Sequence, residues 1–196
     1  MVKQADLVLA MQLRPDAFTP EQKARNFAYY EALTVRDSSL SAATQAVLAA
    51  EVGHLELAHD YLAESVLIDL ADTEQNVRDG LHLAALAGGW TATVAGLGGL
   101  RVGAGPLTFA PRLPAAISRL TFSLCIRSQQ LQVQITHGGA TYLLAAGQPA
   151  TISHHGETVT LQAGEPLTLA IPPAPQVAPV RQPHGREPVS RAERRG

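Results

Sequence analysis

Residues 81–101 read LHLAALAGGWTATVAGLGGLR, and the pair Gly98-Gly99 near their end marks a change in the pattern of apolar side chains. Before this pair, apolar residues recur about every 3.6 residues, the spacing of a helix with one buried face. After it they alternate with polar residues, as in the stretch Leu120-Thr-Phe-Ser-Leu-Cys-Ile126. Such alternation is typical of strands that bury one face. The sequence therefore predicts helices first and a sheet second.

Helix signals are clear in the first part of the chain. Thr19-Pro20-Glu21-Gln22 offers an N-cap, a proline at the first helical position and a glutamine placed for a capping box. Residues 41–52 are rich in alanine and leucine and stop at Gly53, a typical C-terminal residue. Residues 54–70 and 81–97 form two further apolar runs. The last run is apolar on nearly every side, which predicts a buried helix with Trp90 in the core.

The second part of the chain predicts a small antiparallel β-sandwich over residues 100–171. Alternating apolar residues recur at 120–126, 131–135, 159–161 and 167–171, and His137-Gly138-Gly139 signals a turn between two of these stretches. A second turn is signalled by His155-Gly156. The pair His154-His155 resembles a metal site, but no cysteine, third histidine or clustered carboxylate accompanies it. We therefore predict a solvated turn there and no metal.

Residues 172–196 differ in composition from the rest of the chain. They hold 6 of the 13 prolines, with 5 basic and 2 acidic side chains. A segment this poor in large apolar residues cannot form a core, which predicts a disordered Pro/Arg-rich tail.

Composition excludes several classes of protein. A net charge of −2 over 196 residues gives no global field that would attract nucleic acid, and the basic tail has no interleaved aromatic residues. The single cysteine, Cys125, excludes an internal disulfide and is consistent with a reducing cytoplasm. No uncharged apolar run reaches the roughly 20 residues of a membrane span, and the N-terminus lacks the plan of a signal peptide. The sequence predicts a cytoplasmic protein without membrane or nucleic-acid partners.

Two polar clusters are equipped for chemistry. Thr34-Val-Arg-Asp-Ser-Ser-Leu-Ser41 and Asp79-Gly-Leu-His82 each precede an apolar, helix-like run. Hydroxyls, a ring N–H and the free amides of a helix N-terminus are suitable donors to an oxyanion such as phosphate. The alternative is that the serines and Asp79 only cap the helices and that His82 is structural.

These clusters belong to an ordered series of motifs that resembles the C-terminal part of glycoside hydrolase family 65. This family contains inverting phosphorylases of maltose, trehalose and kojibiose. The resemblance covers roughly residues 2–145. Besides the two clusters, it rests on Lys3-Gln4-Ala5-Asp6, Tyr29-Tyr30-Glu31, Ala87-Gly88-Gly89-Trp90, Gly98-Gly99-Leu100-Arg101 and Leu107-Thr-Phe-Ala-Pro-Arg-Leu-Pro114.

The resemblance implies a fold and a set of site residues. Residues 1–99 would be the C-terminal portion of an (α/α)6-barrel catalytic domain, and residues 100–171 the C-terminal β-sandwich. Lys3 and Gln4 would hold the glucosyl unit, and Ser38, Ser39 and His82 would contact phosphate. The ligands would be an α-glucoside disaccharide and inorganic phosphate as co-substrate, with no cofactor.

One departure from the family pattern concerns the general acid. In the family this glutamate lies in a Gly-Pro-Asp-Glu-like motif upstream of the Lys-Gln pair, and no such motif stands here. The apolar segment 5–13 also lacks a preceding cap. We therefore expect a fragment that contains no catalytic residue, is inactive alone, and has a missing upstream catalytic half as its partner.

Two other readings remain open. Hydrolase members of the family exist, so cleavage of the glycoside by water is an alternative to cleavage by phosphate. From another class, the chain would be a non-catalytic carbohydrate-binding or interaction module that docks on a separate catalytic partner. Exposed aromatic rings on one sheet face would favour sugar binding, and the sheet zone offers only Phe109, Phe122 and Tyr142.

Overall fold

The helices begin and end close to the residues that carry start and stop signals. A computed structural model describes residues 1–72, 77–103 and 105–188. Within them the α-helices are α1 (Asp6–Leu13), α2 (Pro20–Glu31), α3 (Ser41–Val52), α4 (Leu55–Leu67) and α5 (Leu83–Thr91), and a π-helical turn (Ala92–Leu97) follows α5. The strands are β1 (Leu107–Phe109), β2 (Arg119–Ile126), β3 (Gln129–Thr136), β4 (Gly139–Leu144), β5 (Ala150–His154), β6 (Glu157–Leu161) and β7 (Leu167–Leu169). The prediction of helices followed by strands is confirmed.

The chain divides into two units. Met1–Gly96 and the C-terminal segment that starts at Pro175 form the helical unit, and Leu97–Ala174 forms the sheet unit. The helical unit contains all five α-helices and the sheet unit all seven strands of the described residues.

Local signals act as predicted in α2 and α3. The Thr19 hydroxyl accepts a hydrogen bond from the Gln22 N–H at 3.2 Å, and the Gln22 side chain accepts one from the Thr19 N–H at 2.8 Å. This reciprocal pair satisfies two backbone donors at the start of α2. Helix α3 ends where Gly53 adopts φ +104°, a left-handed conformation that costs glycine little.

Helix α3 is the centre of the helical unit. Ten of its 12 residues are buried, and it packs against α1, α2, α4 and α5. Its small side chains let neighbouring helices approach closely. On α5, a Cβ at Gly88 would lie only 2.6 Å from the Cβ of Ala43, so the close approach of α3 and α5 requires glycine there.

The prediction that the run 81–97 is buried on every side is wrong for one face of α5. Leu83, Leu86 and Trp90 are 70%, 40% and 55% exposed, although Ala85 and Gly89 on the other face are buried. The exposed residues follow the i, i+3, i+7 spacing of one helix face. A helix buries only the faces that its neighbours cover, and here α3 and α4 cover one side.

The sheet unit consists of two sheets. Strands β2, β3, β4 and β7 form an antiparallel sheet in that order, with Phe122 opposite Val133 on the face that is buried. Strands β1, β5 and β6 form a second sheet, in which β1 pairs with β5 in parallel. This parallel pair departs from the all-antiparallel prediction. It is sterically allowed because a long connection through β2–β4 separates β1 from β5.

His154 belongs to the core of the sheet unit, so the prediction of a solvated turn is wrong for this residue. It is 4% exposed, its Nδ1 accepts a hydrogen bond from the Tyr142 hydroxyl at 2.8 Å, and its Nε2–H donates to the Ala170 carbonyl at 2.9 Å. Both ring nitrogens of His154 thereby have hydrogen-bond partners, which permits burial. The next two residues, His155 and Gly156, form the predicted turn with φ +47° and +91°.

His155 makes the stability of the sheet unit depend on pH. Burial, together with the nearby His154 and Arg112, lowers the pKa of His155 from 6.5 to about 4. Between these values the unfolded chain binds the proton more readily than the folded one, so stability is lost as pH falls from about 6.5 towards 4. We expect the urea midpoint of the sheet unit, followed by the NMR signals of β5 and β6, to fall over this range.

The variant His155→Asn tests this assignment. Asparagine tolerates the left-handed backbone, and Asn-Gly is a favoured two-residue hairpin turn, so the fold should persist while the titrating group is removed. The pH dependence should become shallower. An unchanged slope would assign the dependence to another group.

The C-terminal segment differs from the disorder that its composition predicts. Residues 172–188 contain no helix or strand, but Gln182 donates a hydrogen bond to Glu31 and Arg186 forms an ion pair with Asp37. The remainder of the predicted tail, residues 189–196, lies outside the described residues.

Candidate functional site

The loop between α2 and α3 carries the first polar cluster, and the N-terminal segment pairs with it. The Val2 N–H donates to the Leu33 carbonyl at 2.8 Å, the Val35 N–H to the Val2 carbonyl at 2.9 Å, and the Asp37 N–H to the Lys3 carbonyl at 3.2 Å. This parallel pairing brings Lys3 and the adjacent Gln4 alongside the loop that leads into Ser38 and Ser39. Lys3 and Gln4 are both exposed.

The serines do not cap α3 in the way that the alternative reading requires. Leu40 is the N-cap residue, and its own side chain forms no capping hydrogen bond. Ser38 accepts a weak hydrogen bond from the Leu40 N–H at 3.4 Å, and the buried Ser41 accepts one from the Ala5 N–H at 3.4 Å. Ser38 and Ser39 are half-buried. The Ser38 and Ser39 O–H groups donate no hydrogen bond within the described residues, which leaves both able to donate to a ligand.

His82 is held by an acidic residue that the sequence reasoning missed. Its Nδ1 lies 2.6 Å from Oδ1 of Asp69, and its backbone N–H donates to both carboxylate oxygens at 3.3 and 3.1 Å. The Asp69 side chain is only 9% exposed and that of His82 is 18% exposed. A carboxylate acceptor places the ring proton on Nδ1 and fixes the ring orientation, so Nε2 is the nitrogen available to a ligand.

The position of Asp69 in the sequence sets this residue apart. Asp69 lies just after the end of α4, where a negative side chain is unfavourable beside the carbonyl end of the helix. Such a position calls for a compensating partner, and the structure shows that this partner is His82, 13 residues further along the chain. Asp79, by contrast, does not cap α5, because the N-cap residue is His82 and its backbone N–H donates to Asp69.

The structure brings part of the predicted site together. Lys3, Gln4, Ser38 and Ser39 share the paired loop described above. His82 lies on a different connection, between α4 and α5, and no hydrogen bond or ion pair of the described residues joins it to the two serines. The two connections lead into α3 and α5, which pack against each other and both pack against α4.

A buried polar network lies directly behind the serine loop. Glu31 is fully buried and accepts hydrogen bonds from the Tyr61 hydroxyl and from Gln45 Nε2 at 2.7 Å. Arg36, next to the loop, donates from Nη1 to the Tyr61 oxygen at 3.0 Å and forms a two-pronged contact with Glu64 at 3.3 and 3.4 Å. Burial, and then the Glu31 charge, raises the pKa of the Tyr61 phenol, which therefore remains protonated.

This network also holds an unusual backbone. Arg36 adopts φ +54°, a left-handed conformation that is uncommon outside glycine. Its guanidinium carbon lies 4.8 Å from the centre of the Tyr61 ring, a cation–π distance. The network therefore fixes the residue from which Asp37, Ser38 and Ser39 continue.

The aromatic residues of the sheet unit are buried. Phe109, Phe122 and Tyr142, the three aromatic residues of the sheet unit, are 1%, 6% and 0% exposed, so none forms an open platform for a sugar ring. Within residues 1–72, 77–103 and 105–188, no cluster of three metal-ligating side chains occurs. The helices of that same part of the chain are too short or too polar to cross a membrane.

The sequence matches two models of one family. Residues 1–91 match the central catalytic domain of glycosyl hydrolase family 65, and residues 100–172 match the C-terminal domain of the same family. An uncharacterized glycosyl hydrolase of Mycobacterium leprae (strain TN) is 57% identical over 194 residues, covering 97% of this chain and 24% of the relative. The α,α-trehalose phosphorylase of Thermoanaerobacter brockii is 39% identical over 150 residues, covering 76% of this chain and 19% of the relative.

A solved structure supports the fold. It is described as a candidate kojibiose phosphorylase from the human microbiome and superimposes with a TM-score of 0.79 over 85% of this chain and 23% of the other, at 24% identity. The chain thus spans about a quarter or less of the length of these relatives. One model matches residues 1–91 of the helical unit and the other matches residues 100–172 of the sheet unit, and the chain belongs to glycosyl hydrolase family 65.

Proposed function

We propose that this chain is the C-terminal part of an enzyme that cleaves an α-linked disaccharide with inorganic phosphate. In this reaction a phosphate oxygen bonds to the anomeric carbon as the glycosidic bond breaks, and an acid gives a proton to the departing sugar oxygen. The products are β-glucose 1-phosphate and a free sugar. Phosphate is already an anionic nucleophile, so the protein must supply an acid and a set of donors that hold the anion.

In this proposal Ser38, Ser39 and His82 hold the phosphate, and Lys3 and Gln4 hold the glucosyl unit. The observation that supports it most directly is the 2.6 Å contact between His82 and Asp69. It fixes the ring and leaves Nε2 as the donor to an oxyanion when the ring is protonated. The half-buried Ser38 and Ser39 hydroxyls, which do not cap α3, supply further donors.

The proposal also assigns a partner to the exposed face of α5. Leu83, Leu86 and Trp90 form an exposed apolar stripe on α5. An exposed stripe contributes no hydrophobic stabilisation, and a contiguous one marks a surface that packs against a partner. The match to a central catalytic domain and the greater length of the relatives point to further helices of the same domain. We propose that residues 1–99 are the C-terminal portion of an (α/α)6 barrel and that this stripe packs against its upstream helices, which would also carry the general acid.

Glycoside hydrolysis is the nearest competing reaction, since the Mycobacterium leprae relative is named a glycosyl hydrolase. An inverting hydrolase needs a carboxylate that activates water on the face opposite the acid. Asp69 is engaged by the ring and backbone of His82, and Asp37, which precedes Ser38, is engaged by Arg186, so both of these acidic residues already have partners. This arrangement favours anion binding over base catalysis.

A phosphate titration followed by NMR tests the proposed anion site. We expect amide shifts at residues 38–40 and 80–82 with an apparent Kd on the order of millimolar, because the site is open to water. Ionic strength is held constant with chloride. His82→Ala should abolish the shifts at residues 80–82, and Asp69→Asn should weaken them by freeing the ring.

The matched control is His59→Ala, the same chemical change on α4 at a half-buried histidine outside the proposed site. It should leave the phosphate response unchanged. Equal loss in both histidine variants, or no response of the unmodified chain up to roughly ten times the expected millimolar Kd, would contradict the proposed site.

A further inference from the structure

The C-terminal segment is attached to the helical unit at several points. Pro175 packs against Gly53, where an added Cβ would lie 2.9 Å from the Pro175 carbonyl oxygen. Gln182 Nε2 donates to Glu31 at 3.0 Å, and Arg186 Nη1 contacts the Asp37 carboxylate at 3.0 Å. The family models end at residue 172, so this attachment lies outside both of them.

The contact with Glu31 is the strongest of these because the carboxylate is fully buried. A buried carboxylate must be supplied with hydrogen-bond donors, since it has lost its water. Glu31 receives three, from Gln45, Tyr61 and Gln182, and the last lies 151 residues away in the sequence. The C-terminal segment therefore completes the network that holds Arg36.

The second contact acts on the serine loop itself. Asp37 directly precedes Ser38, and its ion pair with Arg186 is about half exposed, which is weak when taken alone. A turn closed by the Arg186 N–H and the Pro183 carbonyl at 2.9 Å fixes Arg186 relative to Gln182. Gln182 and Arg186 therefore lie on one short segment and contact the two ends of residues 31–37, at Glu31 and Asp37.

Residues of the same turn line a cleft that also contains the predicted sugar-binding Lys3. His184 and Arg186 line a cleft of about 370 Å³ together with Lys3 and Asp37. Clefts of this size lie in the range of small-molecule sites. The C-terminal segment is therefore placed where it affects both the loop and the space beside it.

We propose that Gln182 and Arg186 are positioning residues that hold the loop at residues 36–39 in the geometry that binds phosphate. The identity of the ligand rests on the function proposed above; the holding of the loop does not. Gln182 acts through Glu31, Tyr61 and Arg36, and Arg186 acts through Asp37.

Hydrogen exchange without phosphate tests the holding of the loop. Gln182→Met keeps the length of the side chain but removes the donor, and Arg186→Gln removes the cation. We expect the amides of residues 36–40 to exchange about tenfold faster in Gln182→Met, the factor that corresponds to the loss of one net hydrogen bond, and about two- to fivefold faster in Arg186→Gln, because that ion pair is half exposed. Arg181→Ala is the matched control, because this exposed neighbour forms no hydrogen bond or ion pair with the described residues and should leave exchange unchanged.

Phosphate binding separates positioning from general stability. Both variants should raise the apparent Kd for inorganic phosphate about three- to tenfold while the urea midpoint of the whole helical unit changes little. Arg186→Lys retains the cation and should restore the Kd. Unchanged loop exchange in both Gln182→Met and Arg186→Gln would overturn the proposal. Faster loop exchange in a chain that shows no phosphate response would support the holding of the loop and contradict only the proposed function.

Discussion

Replacing Glu31 by alanine is expected to lower the free energy of unfolding of the helical unit by about 3–5 kcal/mol, the cost of breaking a buried, paired charge. The variant leaves the Tyr61 hydroxyl and the Gln45 amide buried without their acceptor, and it opens a cavity beside α3. It also removes the acceptor of Gln182. Urea unfolding followed by circular dichroism at 222 nm measures the effect, because all described α-helices lie in this unit.

Glu21→Ala provides the comparison on the same helix. Glu21 is exposed in the first turn of α2, so its loss weakens only an interaction with the helix dipole and should destabilise the helical unit far less than the loss of Glu31. If both variants lose the same small amount, the carboxylate of Glu31 contributes no more than a surface charge, and the network cannot be what holds Arg36.

Much of the fold follows from local sequence signals. The capping box at Thr19, the stop at Gly53 and the alternation of residues 120–126 each depend on neighbours within a few positions, and the structure contains all three features. Local steric and hydrogen-bonding preferences set these features, which makes them readable without tertiary information.

The network behind the serine loop was not predictable in this way. Gln45, Tyr61 and Gln182 lie 14, 30 and 151 residues from Glu31, and nothing in their local sequence distinguishes them from surface polar residues. Their contacts depend on how helices pack and on where the C-terminal segment runs. Composition alone predicted disorder for that segment because it contains too little apolar surface for a core, yet a few polar contacts to a preformed unit attach it.

For Trp90 and His154, the local sequence pattern predicted the wrong degree of burial. An apolar run predicted burial for Trp90, which is exposed, and a turn signal predicted exposure for His154, which is buried. The environment of each depends on the partner that faces it: no described helix covers that side of α5, whereas Tyr142 and Ala170 supply both hydrogen bonds of the His154 ring. The site residues named from the family resemblance remain predictions, with Asp69 as an addition from the structure.

The largest expected effect concerns turnover. We expect the 196-residue chain to release glucose 1-phosphate from trehalose, maltose or kojibiose at least about 10⁴-fold more slowly than an intact phosphorylase. Proton donation by a general acid is worth roughly 10²–10⁴-fold, and orientation of the two substrates contributes several further powers of ten. The α,α-trehalose phosphorylase of Thermoanaerobacter brockii, assayed with trehalose and phosphate, serves as the positive control.

The arrangement of the buried carboxylates supports this expectation. Glu31 accepts hydrogen bonds from Tyr61 and Gln45, and Asp69 accepts them from the ring and backbone of His82, so neither is poised to deliver a proton to a sugar oxygen. Turnover within about tenfold of the positive control would place a working acid inside these residues and contradict the assignment of the acid to upstream helices. Loss of that turnover in Asp69→Asn or Glu31→Gln would then identify it. Phosphate binding without turnover is the result that fits a site which holds the nucleophile but lacks the proton donor.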